Sequence, residues 1–140
     1  MMPNSALIDS SFLFTLYNQS DENHKRSQAF ATNYKGIFII PDVTLPEVTF
    51  LFTRQGKTPA VKKFLKSLAA AQPLLEPLTV PDIQRAHEIM EKYDDAKLDF
   101  VDCCIMTLAE RLNITQICTF DRRDFPIFRP THCEHLELLP

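Results

Sequence analysis

The residues of this chain best suited to chemistry are carboxylates. Asp9 ends a short apolar run, and Glu47 lies inside an apolar helical pattern. Asp99 and Asp102 open a late helix, and Asp121 and Asp124 follow an apolar run near the C-terminus. Clustered carboxylates repel one another and hold their protons more tightly unless a cation is present. A site made only of oxygen ligands suits Mg²⁺ or Mn²⁺. Such ions acidify a bound water and stabilise charge on a phosphate.

Two of these acids are out of place for a soluble protein. On a helical wheel Asp102 lies in line with Ile105, Ala109 and Leu112, where a charge is costly unless paired. Glu47 falls among Val43, Val48, Phe50 and Leu51. Each acid also has an ordinary role open to it. Asp9 and Asp99 suit helix N-caps, Asp102 suits a first turn favoured by the helix dipole, and Glu47 suits a solvated flank.

Competing chemistries are weak. With two glycines in the chain, a Gly-rich phosphate loop is excluded. The histidines, His24, His87, His132 and His135, lie apart from the acids in sequence. Cys103, Cys104, Cys118 and Cys133 form no C-x-x-C pair and read as reduced thiols of a cytoplasmic protein. Zinc held by His132, Cys133 and His135 is conceivable, but that spacing matches no usual zinc pattern.

The elements that must position the acids alternate. Apolar runs at 5–8, 37–40, 116–120 and 136–139 read as buried strands, and 73–78 reads as an edge strand because it carries two prolines. Helical patterns follow Asp9 and cover 24–34, with Ala29, Phe30 and Tyr34 inward and Gly36 as its stop. Others cover 42–52, 58–70 and the segment after Thr79. Pro46 requires the 42–52 helix to start near Thr44 or Leu45. The helix from Asp99 carries Val101, Ile105, Leu108 and Leu112 on one side, an amphipathic spacing. This order predicts one domain over residues 1–140, a three-layer α/β/α arrangement with a mostly parallel sheet. Ligands of such sheets bind at the carboxyl ends of the strands, where Asp9 and Asp121 arrive.

Taken in order, ALIDSSFLFTLY (6–17), LPEVTFL (45–51), LDFVDCCIMTLAERLNI (98–114) and ICTFDRRDF (117–125) resemble the motifs of PIN-domain ribonucleases, and most closely those of VapC-type toxins. The resemblance implies an Mg²⁺- or Mn²⁺-dependent endonuclease acting on RNA. It implies in-line attack of water that leaves a 5′-phosphate and a 3′-hydroxyl. Carried over residue by residue, it makes Asp9, Glu47, Asp102 and Asp121 the catalytic acids. Metal binding falls to Asp9, Asp102, Asp121 and Asp99, with Asp99 nearer the metal than Asp124. Ser10 and Thr119 would orient the acids, with Asp124 in support. It also implies a homodimer held inactive by a small antitoxin. A stand-alone RNA-processing nuclease and a non-catalytic RNA- or protein-binding module are the alternatives.

Net charge is −3, so contact with a nucleic acid needs a local basic group or metal ions. Lys57, Lys62, Lys63 and Lys66, on the 58–70 helix and just before it, are the densest such group. No segment is long and apolar enough to span a bilayer.

Overall fold

The computed structural model describes residues 4–140. Its strands are β1 (Ser5–Ile8), β2 (Ile37–Pro41), β3 (Leu74–Glu76), β4 (Gln116–Cys118) and β5 (Glu137–Leu139). Its α-helices are α1 (Ser10–Tyr17), α2 (His24–Asn33), α3 (Thr44–Arg54), α4 (Thr58–Ala70), α5 (Val80–Lys92) and α6 (Phe100–Leu112). The sheet order is β3-β2-β1-β4-β5, and every neighbouring pair is parallel. Strand β3, bracketed by Pro73 and Pro77, takes an edge, where a missing N–H costs no ladder bond.

Side-chain alternation along β1 explains the layers. Ala6 and Ile8 pack into one apolar cluster with Phe12, Val48, Phe52 and Phe64, which come from α1, α3 and α4. Leu7 points the other way, into a cluster with Ala86 and Ile89 of α5 and the middle of α6. Strand β4 repeats the pattern, with Ile117 on the α5–α6 side and Cys118 on the other. Both strands are buried on both faces, as central strands of a parallel sheet must be.

Helix α6 departs from its expected amphipathic form. Residues from Asp102 to Ala109 are all buried, so the helix is enclosed rather than laid on a surface. The sheet, α5 and the chain around Phe125 and Phe128 enclose it. Helix α2 also differs. Phe30 and Tyr34 pack half-buried against the core as expected, but Ala29 is exposed, and the fully buried residue is Ser27, whose hydroxyl donates to the His24 carbonyl at 2.9 Å. Gly36 lies past the helix end, where a Cβ would come within 2.5 Å of the Asn4 carbonyl oxygen. Its role is close approach to the start of β1 rather than a helix stop.

All four thiols are free. Burial pushes Cys103, Cys104 and Cys118 up to about 12, 11 and 12, which leaves them protonated and inert. Ellman's reagent should therefore titrate only the half-buried Cys133 in the native protein, and the other three after unfolding. Rapid modification of a second thiol under native conditions would contradict this packing. Among the described residues no helix is long and apolar enough to cross a membrane.

Candidate active site

The carboxyl ends of β1 and β4 lie side by side, with Ile8 in register with Cys118. Asp9 and Thr119 therefore emerge together. Asp9 caps α1 and is 3% exposed. Its Oδ1 accepts from the Ser10 N–H at 2.7 Å, and its Oδ2 accepts from the hydroxyls of Thr119 at 2.6 Å and Ser11 at 3.0 Å. The Asp121 N–H in turn donates to the Thr119 hydroxyl at 2.9 Å, and the Phe120 N–H to the Ser11 hydroxyl at 3.0 Å. Burial raises the Asp9 carboxyl to about 6, outweighing these donors, and the charge of Glu47 adds to the rise. Capping and a place in the site are thus the same geometry.

Asp102 enters from the first turn of α6, where it is 5% exposed. Burial first, then the Asp9 charge, a hydrogen bond shared with Asp124 and the Asp121 charge push its carboxyl up to about 10. One carboxylate oxygen each from Asp102, Asp121 and Asp124 lie within 4.8 Å of one another. Glu47 projects from the first turn of α3, close enough to raise Asp9.

The two supporting acids differ in burial. Asp99 is exposed and caps α6, its Oδ2 accepting from the N–H groups of Val101 at 3.1 Å and Asp102 at 3.4 Å. Asp124 is the buried one. Its Oδ2 accepts from the Asp99 N–H at 3.1 Å, whereas its buried Oδ1 has no hydrogen-bond donor among the described residues and pairs only with the Arg123 Nε at 3.7 Å. The hydroxyls differ too. Thr119 orients Asp9 as expected, but the second hydroxyl belongs to Ser11; Ser10 contributes only its N–H. Helical spacing places both serines in one turn, and only the tertiary neighbour Thr119 distinguishes them.

These acids line a cleft of about 360 Å³. Its cations are Arg54 and Arg123, which the sequence reading passed over. The signal was available: Arg54 stands two helical turns after Glu47, and Arg123 lies between Asp121 and Asp124. None of the α4 lysines lines this cleft. Lys57, just before α4, donates to Asn18 Oδ1 at 3.1 Å and to the Ser20 hydroxyl. Histidine is absent from the lining as well. The His132 Nε2 bonds the Ile114 carbonyl at 2.7 Å, and no metal-holding group containing His132, Cys133 and His135 forms among the described residues.

The cleft suits a hard divalent cation. Its acids offer only oxygen, Asp124 Oδ1 is buried without a hydrogen-bond donor and has only the Arg123 Nε at 3.7 Å as a counter-charge, and its protons are held by burial first and then by repulsion that a cation would relieve.

Comparison with known proteins identifies the fold. The chain is 23% identical over 134 residues to ribonuclease VapC26 of Mycobacterium tuberculosis, covering 96% of this chain and 99% of that protein. Its fold resembles that of the Mycobacterium tuberculosis VapC20 toxin, which cleaves the sarcin–ricin loop. The TM-score is 0.80 at 19% identity, covering 92% of this chain and 98% of that one. It also resembles a chain of VapBC2 from Rickettsia felis bound to promoter DNA, with a TM-score of 0.67 at 13% identity and 96% of each chain covered. A toxin–antitoxin complex from Klebsiella pneumoniae gives a TM-score of 0.63 at 18% identity, covering 86% and 89%. The PIN domain family matches residues 6–128, nearly the whole of the described fold, and the chain belongs to that family.

Proposed function

We propose that the protein is a divalent-metal-dependent endoribonuclease and the toxin of a toxin–antitoxin pair, acting in the cytoplasm as one domain. The observation that carries this reading is the group of Asp102, Asp121 and Asp124, the first and last buried and Asp121 half-buried, beside Asp9 at the strand ends. Mg²⁺ or Mn²⁺ would be held by Asp9, Asp102, Asp121 and Asp124. When bound, the ion supplies an acidified water and neutralises phosphate charge.

The chain's own residues do the rest. The hydroxyls of Ser11 and Thr119 fix one oxygen of Asp9, so that carboxylate is aimed before substrate arrives. Glu47 makes no hydrogen bond among the described residues and is only half-buried, which leaves it free to take a proton from the attacking water. Arg54 and Arg123 offset phosphate repulsion at the rim of an otherwise acidic cleft. Asp99 acts through Asp102, whose N–H it holds.

The likeness to toxin–antitoxin complexes supports an antitoxin partner, and we carry a homodimer as a further expectation for size-exclusion chromatography. Expression of the wild-type chain alone should arrest bacterial growth, with RNA fragments bearing 5′-phosphates. Asp9→Asn should do neither. Normal growth together with full cleavage in vitro would replace the toxin reading by that of a stand-alone nuclease. Absence of cleavage with Mn²⁺ would end the nuclease reading.

A further inference from the structure

One wall of the cleft is made by a single face of α3. Glu47, Phe50, Leu51 and Arg54 fall at i, i+3, i+4 and i+7, and all four line it. Val48 and Phe52 turn from that face into the core. Phe50 is 60% exposed, although its place in the pattern suggested a buried residue. The chain has eleven phenylalanines and three tyrosines. All are buried or half-buried except Phe50 and Phe100, and of those two only Phe50 lines the cleft. The folding of this chain therefore hides its aromatic rings everywhere but at the mouth of the acid site and at the start of α6.

Arg54 stands one turn beyond Phe50 on the same face, exposed and without an ion pair among the described residues. A ring beside an uncommitted guanidinium matches the two halves of a nucleotide. Aromatic faces stack on unpaired bases with little sequence preference, and a guanidinium takes the adjoining phosphate. Duplex RNA presents no free base face to a side chain in this position. The wall is polar around the ring, with Glu47, Asp99 and Arg123 nearby in the lining, which suits a base and its phosphates better than an apolar protein segment.

We propose that Phe50 is a substrate-binding residue that stacks on an unpaired base next to the bond to be cut, with Arg54 holding an adjacent phosphate. The site thereby selects unpaired RNA. This inference rests on the ribonuclease reading for the word substrate, but its test does not depend on cleavage.

The test measures binding of a fluorescein-labelled single-stranded oligoribonucleotide by anisotropy, with Ca²⁺ in place of Mn²⁺. An abasic chain of the same length serves as the second probe. Phe50→Ala should weaken binding of the oligoribonucleotide about tenfold. It should bind the abasic chain as the wild type does, and Phe50→Trp should restore the tenfold. Because Phe50 is largely exposed, both variants should keep the wild-type melting temperature. Equal binding of the oligoribonucleotide by wild type and Phe50→Ala would overturn the proposal. Equal losses on both probes would overturn it as well, because the ring would then be acting on something other than a base. Base-dependent binding without cleavage in Mn²⁺ would uphold the stacking role while ending the nuclease reading.

Discussion

Replacing Asp102 with asparagine should lower RNA cleavage by about a thousandfold or more, a loss on the scale of removing a principal charge stabiliser. The melting temperature of the metal-free protein at pH 7 should stay within about 2 °C of wild type. These two outcomes follow from one fact. Burial and neighbouring charges keep the Asp102 carboxyl protonated at neutral pH when no cation is present. In that state it already acts as a neutral donor toward Asp124, and an asparagine amide keeps both the shape and the donor. The resting fold loses little, whereas the carboxylate needed by a cation is gone. Cleavage assays with Mn²⁺ and differential scanning calorimetry would check the pair. Retained cleavage would remove Asp102 from the site, and a collapse of the melting temperature would show that its role is structural.

Divalent metal should stabilise the protein, and more so at pH 8 than at pH 5. At a hundredfold excess over its dissociation constant Mn²⁺ contributes about 2.7 kcal/mol. For a chain of this size that is a rise of about 9 °C. The sign of the pH effect comes from proton counting. Burial first and neighbouring carboxylates second push Asp9 up to about 6 and Asp102 up to about 10, both above the ordinary value of 3.8 for Asp. Between those limits the folded protein binds more protons than the unfolded chain, so metal-free stability falls as pH rises. It falls through the Asp9 range first and continues toward the Asp102 range. Carboxylates with lowered values act elsewhere. Burial raises Asp82 and Glu110, but hydrogen bonds and charges from Arg111 and Arg85 outweigh it and hold both low. Their effect is spent below about pH 4–5. Metal displaces the trapped protons of Asp9 and Asp102, so its increment grows with pH. Thermal melts at pH 5 and pH 8, with and without Mn²⁺, would measure this. A metal-free protein more stable at pH 8 than at pH 5, or an equal Mn²⁺ increment at both, would show that the acids do not titrate as a cluster.

Particular residues show why parts of this site were legible in sequence and others were not. Asp9 and Asp121 could be placed because each follows a short apolar run, and in a parallel sheet all such runs deliver their ends to one edge. Pro46 located the start of α3 because proline fits only a first turn there. Strand order could not be read, since parallel pairing leaves no mark on either strand alone. Asp124 lies in a stretch of turns and bends after Asp121, with no period from which to infer direction. Phe50 misled because a phenylalanine at an apolar spacing looks the same whether the face it joins meets a core or a cleft. Helix α6 misled in the opposite direction: its polar-looking side, with Cys104 and Thr107, is buried as well.

The clasp of Ser11 and Thr119 on Asp9 has a consequence for the order in which the molecule becomes competent. Its two sides are separated by 108 residues between Ser11 and Thr119. Strand β1 leaves a ribosome early, and the hydroxyl that completes its acid is among the last parts of the fold to arrive. Asp102, Asp121 and Asp124 also come late. A chain still being made, or one cut short before β4, holds Asp9 without its partners and has no acid cluster. Contacts of such long range form only once most of the chain is available. Under the proposed function, such a chain would spare the RNA beside it during its own synthesis, because the last strands must fold home before the acids meet.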